Sequence, residues 1–322
     1  MNGSAVENVI WAITDGRAGM LSQARGLGEA IGLPLEVKTV HPRLPWTLFP
    51  VAHWPAPLAA LGAGSARIEP PWPIIAIGCG WRSIPYVLAV KRLSGGRTFT
   101  VQLQDPRVDP KRFDLVVPPE HDGLSGANVV PIVGSPNRIT KSLLNDAAAK
   151  WASQFEHMPH PRVAVLVGGA SKSHRFDQSD ARRLAASLTE LAEQGCGVMV
   201  TTSRRTGKRQ AQTIADALSH TNAFVWNGQG ENPFFAMLAL ADAILVTSDS
   251  TNMAVEAAAT GKPVYIVDIP GGDPKFDRLH ASLKARGIAR AFAGKIEAWT
   301  YEPLNETARV ADHIRAKLAL RR

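Results

Sequence analysis

The sequence predicts an α/β protein built from two doubly wound, parallel-sheet units. Three observations carry this. Short apolar runs alternate with amphipathic segments along the chain. Gly-containing or polar turns follow most of the apolar runs, as strands feeding helices require. The pattern is interrupted near Pro159-His160-Pro161 and then starts again. A chain of 322 residues suits about two domains. With 45 % hydrophobic and 20 % charged residues it is ordinary globular material, which excludes long disorder, collagen and coiled coil.

The first unit begins with an apolar strand at 8–13 and the turn Thr14–Gly19. A helix follows at 21–31, where helical apolar spacing ends at Gly32. Strand 35–40 comes next. Residues 41–73 break the rhythm: they are rich in Pro and Gly and hold Trp46, Leu48, Phe49, Trp54, Leu58 and Leu61. Strand 74–77 runs into Gly78-Cys79-Gly80, helix 84–93 stops near Gly95-Gly96, and strands 99–103 and 115–117 follow. The second series has strands at 162–167, 197–202, 223–226, 243–247 and 264–268. Helices are predicted at 178–193, 209–218, 233–240 and 251–260. Gly261-Lys262-Pro263 makes a sharp stop, because Gly accepts the left-handed position and Pro cannot extend a helix. Residues 306–320 read as a terminal helix. The predicted domains are therefore 1–155 and 160–305, with 306–322 as a C-terminal helix.

The net charge is +8, with each half of the chain contributing +4. A general basic balance favours anionic ligands or surfaces. Nucleic-acid readers concentrate charge in a patch or arm. Here the densest run is only Arg204, Arg205, Lys208 and Arg209, with a tail pair Arg321 and Arg322, so nucleic acid is not an expected partner. Cys79 and Cys196 form no CxxC and fit a reducing cytoplasm. Residues 1–7 lack a signal-peptide pattern, and no apolar run reaches membrane-spanning length. Cytoplasmic localisation is expected.

In open α/β sheets, ligands bind beyond the carboxyl ends of the strands. That rule selects particular loops. Ser248, Ser250 and Thr251 close a strand and open a helix, where unpaired N–H groups suit a phosphate or diphosphate. The plain alternative is an ordinary N-cap. Glu256, farther along that helix, could accept hydrogen bonds from ribose hydroxyls, or could be a solvated glutamate. Gly168, Gly169 and Ser171 form a turn that permits close backbone approach, but the spacing is not that of a P-loop. Arg204 and Arg205 suit an anion through guanidinium forks, or form a solvated basic turn. In the first unit, Asp15 follows the first strand, and His121 with Asp122 follows the last; these are the candidate acid–base groups. No HExxH, GxSxG, kinase or DxD pattern is present, and no metal or bound cofactor is expected.

Residues 241–264, ADAILVTSDSTNMAVEAAATGKPV, resemble the donor half of GT-B glycosyltransferases, a layout shared with nucleotide-sugar 2-epimerases. A closer likeness spans nearly the whole chain. The segments WAITDGRAG at 11–19 with Gln23, QDPR at 104–107, PEHD at 119–122, Gly169 with Ser171, SRRT at 203–206 and TSDS at 247–250 resemble the mitochondrial-fission "elongated mitochondria" family, which has many bacterial members. The resemblance implies a GT-B-like fold of two Rossmann-like domains facing a cleft. It implies a nucleotide diphosphate sugar as donor substrate on the second unit. Ser248, Ser250 and Thr251 would meet the diphosphate, Glu256 the ribose, and Gly168, Gly169, Ser171, Arg204 and Arg205 would line the same site. A glycan or glycolipid acceptor would lie against the first unit, with Asp15 or His121 as base. Residues 44–61 would then either touch the inner face of the cytoplasmic membrane peripherally or simply cap the sheet. The alternatives are a nucleotide-sugar epimerase and a non-catalytic binding or scaffold protein of the same shape.

Overall fold

The structure, a computed structural model, describes residues 6–51 and 54–320. The tail arginines and the first five residues lie outside them. The chain divides into two compact units, 1–138 with 305–322, and 139–304.

The first unit is a five-stranded parallel sheet of β1 (Val6–Thr14), β2 (Leu35–Thr39), β3 (Trp72–Cys79), β4 (Phe99–Leu103) and β5 (Leu115–Val117), in the order β2-β1-β3-β4-β5. The order reverses between β1 and β3. The central strands are apolar on both sides because both faces are covered. On one face, Leu27 and Ile31 of α1 (Ala18–Ile31) share a core with Ile10, Ile75 and Val101. On the other, Tyr86 and Val90 of α2 (Ile84–Leu93) pack with Trp11, Trp54, Ile68 and Trp72. The Pro-rich stretch therefore caps the sheet through Trp54, Ala60 and Ile68. Its tip is different: Leu44, Leu48 and Phe49 are 69 %, 75 % and 55 % exposed.

The second unit is a six-stranded parallel sheet in the order β11-β10-β9-β6-β7-β8. Its strands are β6 (Arg162–Val167), β7 (Gly197–Thr202), β8 (Phe224–Val225), β9 (Ala243–Thr247), β10 (Val264–Val267) and β11 (Ala289–Ala291). The reversal falls between β6 and β9. The helices are α3 (Lys141–Phe155), α4 (Gln178–Glu193), α5 (Lys208–Leu218), α6 (Phe234–Leu240), α7 (Thr251–Ala258) and α8 (Pro274–Ala285). Asp177 and Asp180 close a capping box at the start of α4.

Two boundaries differ from the sequence reading. The first domain ends at 138, not 155, because α3 packs in the second unit. Its Phe155 is fully buried and meets Phe224 edge-to-face at 5.0 Å. The terminal helix α9 (Glu306–Ala319) is not a separate appendage. Val310, Ala311 and Ile314 join the α1 core, and Arg315 donates to Ala30 O at 2.7 Å at the C-terminal end of α1.

Candidate functional site

The carboxyl ends of β6, β7 and β9 are adjacent because those strands are adjacent. Every predicted binding residue of the second unit comes from them: Gly168, Gly169 and Ser171 follow β6, Arg204 and Arg205 follow β7, and Ser248, Ser250 and Thr251 follow β9, with Glu256 inside α7. This is the crevice at a sheet's reversal, where open α/β sheets place ligands.

Asp249 organises these loops, and the sequence reading did not single it out. Its carboxylate is fully buried, accepts the Gly169 N–H at 2.9 Å and the Thr247 hydroxyl at 2.7 Å, and pairs with Arg205 Nη1 at 2.7 Å. Gly168 donates its N–H to Thr247 Oγ1 at 2.7 Å. Both glycine N–H groups are thus used within the protein. The glycines are required for close packing: a Cβ on Gly168 would stand 2.2 Å from Asp249 Oδ2, and one on Gly169 2.2 Å from Arg205 O. Ser203 and Thr206 hydroxyls donate to Gly168 O, tying the β7 loop to the β6 loop. Of the hydroxyl residues around it in sequence, only Thr247 bonds its carboxylate; the other partners, Gly169 and Arg205, come from other loops.

Ser248 accepts from Ile269 N at 3.0 Å, which holds the β9 loop to the loop after β10. Ser250 is the N-cap of α7 and accepts from Met253 N at 3.4 Å. Ser171 closes a tight turn, accepting from Ser173 N and His174 N. Arg204 is exposed, and Thr251 half-buried. Glu256 is half-buried between apolar neighbours of α7, and burial pushes its carboxyl up to about 7. Lys262 donates to Leu238 O at 2.9 Å and to Ala239 O, satisfying the C-terminal carbonyls of α6; burial lowers its ammonium to about 8.

In the first unit, Asp15 lies at the end of β1, at that sheet's own reversal. Its buried carboxylate accepts Arg17 Nε at 2.7 Å. Gln104, at the end of β4, holds φ +71° and donates to Gln23 Oε1 at 3.1 Å. His121 and Asp122 sit half-buried in a one-turn helix after β5. They follow β5, which lies three strand spacings, about 14 Å, from the β1 that leads to Asp15. Among the described residues, no group of three or more His, Cys, Asp or Glu is placed to hold a metal ion, and no helix is long and apolar enough to cross a membrane.

Two parallel-sheet α/β units, each with polar loops at the point where its sheet reverses, define a GT-B-like protein. The chain belongs to the family described as Mitochondrial fission ELM1, which it matches over residues 18–318. It is 33 % identical over 276 residues to "Mitochondrial fission protein ELM1" of Arabidopsis thaliana, covering 77 % of this chain and 65 % of that protein. It is 31 % identical over 212 residues to "Uncharacterized protein RP120" of Rickettsia prowazekii, covering 62 % and 58 %. The matches thus span less than two thirds of the length of these curated relatives. Solved structures share the fold. The UDP-GlcNAc 2-epimerase of Methanocaldococcus jannaschii has a TM-score of 0.55 at 12 % identity, covering 96 % of this chain and 99 % of that one. The Neisseria meningitidis UDP-GlcNAc 2-epimerase bound to UDP-GlcNAc gives 0.51 at 12 %, covering 96 % and 100 %. Acinetobacter baumannii MurG gives 0.50 at 12 %, covering 97 % and 90 %.

Proposed function

We propose that this protein is a glycosyltransferase that takes a nucleotide diphosphate sugar on its second unit and delivers the sugar to a cell-envelope glycan or glycolipid. The observation that carries the reading is Glu256. A half-buried carboxylate, raised to about 7 and lying in the helix that opens at the sheet's reversal, is costly to keep without a ligand. Ribose hydroxyls are donors that would satisfy it. The N-terminus of α7 and the arginines of the β7 loop, Arg204 and the exposed part of Arg205, supply positive charge for the diphosphate, and for the charge that grows as the sugar–phosphate bond breaks. The fold shared with an epimerase bound to UDP-GlcNAc supports a nucleotide-sugar ligand.

An inverting transfer needs a base for the acceptor hydroxyl. Asp15 is already engaged by Arg17, so the reading assigns the base to His121, with Asp122 beside it. The same engagement of Asp15 favours a second reading, a nucleotide-sugar-binding protein without turnover.

The test is a thermal-shift screen against UDP, GDP, CDP and dTDP. A ligand at 100 times its Kd adds about 2.7 kcal/mol. One responding nucleotide, with the shift lost in Glu256→Ala, supports the donor site; no response from any of the four overturns it. Sugar release to added acceptors, or a change in sugar configuration without an acceptor, then separates transferase and epimerase from a binding protein.

A further inference from the structure

Arg17 and Arg82 lie in the first unit, on the loops after the two strands that flank its reversal. Arg17 is the N-cap of α1, directly after β1. Arg82 precedes Ser83, the N-cap of α2, directly after β3. Neither N-cap side chain caps its helix. At α2, Pro85 has no N–H, Ser83 N donates to Gly80 O and Tyr86 N to Ser83 O. At α1, the Arg17 N–H donates to Asp15 Oδ1 at 3.3 Å. Both helix ends thus add a positive dipole end to the two guanidiniums, and α1 keeps more open N–H groups. Both arginines face one carboxylate. Asp15, its side chain only 1 % exposed, accepts Arg17 Nε at 2.7 Å and pairs with Arg82 Nη1 at 3.8 Å.

The charges do not balance. One buried carboxylate faces two guanidiniums and two helix N-termini. Arg17 uses its Nε on Asp15, and its side chain remains 59 % exposed. Arg82 is beyond hydrogen-bonding distance of Asp15, and its buried Nε has no acceptor. The donors open to an anion are the outer guanidinium nitrogens, since the Arg82 side chain as a whole is 42 % exposed. Arg82 is nevertheless held in place, its guanidinium lying 5.2 Å from the centroid of the Trp81 ring. Gly80, at φ +82°, brings the two loops together; its Cβ position is 3.2 Å from Met20 Sδ and 3.8 Å from Arg17 Nη2.

We propose that the reversal of the first sheet is a second anion site, in which Arg17 and Arg82 clamp a phosphoryl or diphosphoryl group over the N-termini of α1 and α2. Asp15 holds Arg17 in position while leaving its outer N–H groups for the ligand. Guanidinium forks match phosphate oxygens, and their planar geometry distinguishes this site from a diffuse basic patch. The site uses residues of the first unit alone, so it stands independently of the nucleotide reading for the second. The phosphoryl group could be carried by a lipid or be free in solution; the recognition chemistry is shared.

The experiment is arginine modification of the wild-type protein by phenylglyoxal, mapped by mass spectrometry, with and without inorganic pyrophosphate or farnesyl diphosphate. Arg67, on an exposed loop, is the internal control. Saturating ligand should slow modification of Arg17 and Arg82 about tenfold, with Arg67 unchanged. Protection at lower concentrations of the prenyl compound assigns the phosphoryl group to a lipid-linked ligand, and equal protection assigns it to a free diphosphate. Unchanged modification of Arg17 and Arg82 with both ligands overturns the proposal. The double variant Arg17→Gln/Arg82→Gln should weaken pyrophosphate binding at least about tenfold in calorimetry while keeping any nucleotide response of the second unit. A Glu256→Ala variant should do the reverse, so failure of one site is distinguishable from failure of the other.

Discussion

Asp249 and Arg205 form a 2.7 Å ion pair in which the carboxylate is fully buried and the guanidinium reaches solvent. The pair joins the loops after β9 and β7, and the Gly169 N–H brings in the loop after β6. Three strand ends at the reversal are thus held by one side chain. Asp249→Asn keeps the size but leaves Arg205 without its counter-charge and turns an amide donor toward a donor. The expected loss is about 3 kcal/mol, read as a lower urea midpoint with unchanged slope. An unchanged midpoint would remove Asp249 from this role.

The same lock predicts the behaviour of Gly168. A methyl group there would meet the Asp249 carboxylate well inside contact distance, on backbone that cannot move without releasing Thr247. Gly168→Ala should destabilise by about 1–3 kcal/mol. Gly195→Ala provides the comparison, since its Cβ position is open and only the positive φ of +89° opposes it. Gly168 has no positive φ, so a Gly168→Ala protein as stable as the parent would mean that the Asp249 carboxylate yields to the methyl group at no cost.

Glu256 sets a pH dependence. Its carboxyl is raised from the ordinary 4.5 to about 7, so between those values the folded state binds more protons than the unfolded state. The stability it contributes is complete below pH 4.5 and is lost as pH rises to about 7. Glu256→Gln should flatten that part of the melting profile and give a protein more stable than the parent above pH 7. Under the proposed function, ribose hydroxyls favour the charged form, so nucleotide binding near pH 6.5 should release protons. Calorimetry in buffers of different ionisation enthalpy reads this directly; the release should be smaller in Glu256→Gln, the remainder coming from the terminal phosphate of the nucleotide, whose second pKa is about 6.

The order of strands and helices was readable because apolar runs bounded by Gly and polar turns leave few alternatives. The strands at 99–103, 115–117, 162–167, 197–202 and 243–247 occur as predicted. The missed elements left signals too. Helix α3 had two that were not used: Leu144, Ala148, Trp151 and Phe155 recur at helical spacing, although only Phe155 is fully buried, and Thr140 accepts from Leu143 N as its N-cap. Helix α8 was announced by Asp273-Pro274, an N-cap followed by Pro at the first position. Candidate binding residues were legible because loops after parallel strands must meet at one edge. What Asp249 does was not, because its partners Gly169 and Arg205 are distant in sequence.

Phe155 also tests where the chain divides. If α3 belongs to the second unit, truncating its one buried side chain leaves a cavity against Phe224. Phe155→Ala should cost about 3–5 kcal/mol. Hydrogen exchange should show that loss in β7, β8 and α6 and leave β1, β3 and α9 unchanged. A loss spread equally over both units would contradict the boundary at 138.

The tip of the Pro-rich stretch leads to a last expectation. Trp54, Ala60 and Ile68 are buried against α2 and the sheet, so that part of the stretch has a structural reason to be apolar. Leu44, Leu48 and Phe49 have none: they are exposed within six residues of one another. Val51, Trp54 and Pro57 of the same stretch share a pocket of ≈ 330 Å³ with Leu88, Lys91, Arg92 and Arg112. Lys91 is neutralised by Asp114 at 3.1 Å, but Arg92 and Arg112 are exposed. Apolar side chains that insert shallowly next to basic groups suit an anionic bilayer surface, each basic group adding about 1 kcal/mol near the headgroups. The protein should therefore co-sediment with phosphatidylglycerol vesicles more than with phosphatidylcholine vesicles, and less as salt rises. Leu44→Ser/Leu48→Ser/Phe49→Ser should abolish binding with little change in melting temperature, because these side chains pack against nothing that folding needs. Arg92→Gln/Arg112→Gln should weaken binding only to the anionic vesicles. Undiminished sedimentation of the triple variant would assign the contact to another surface.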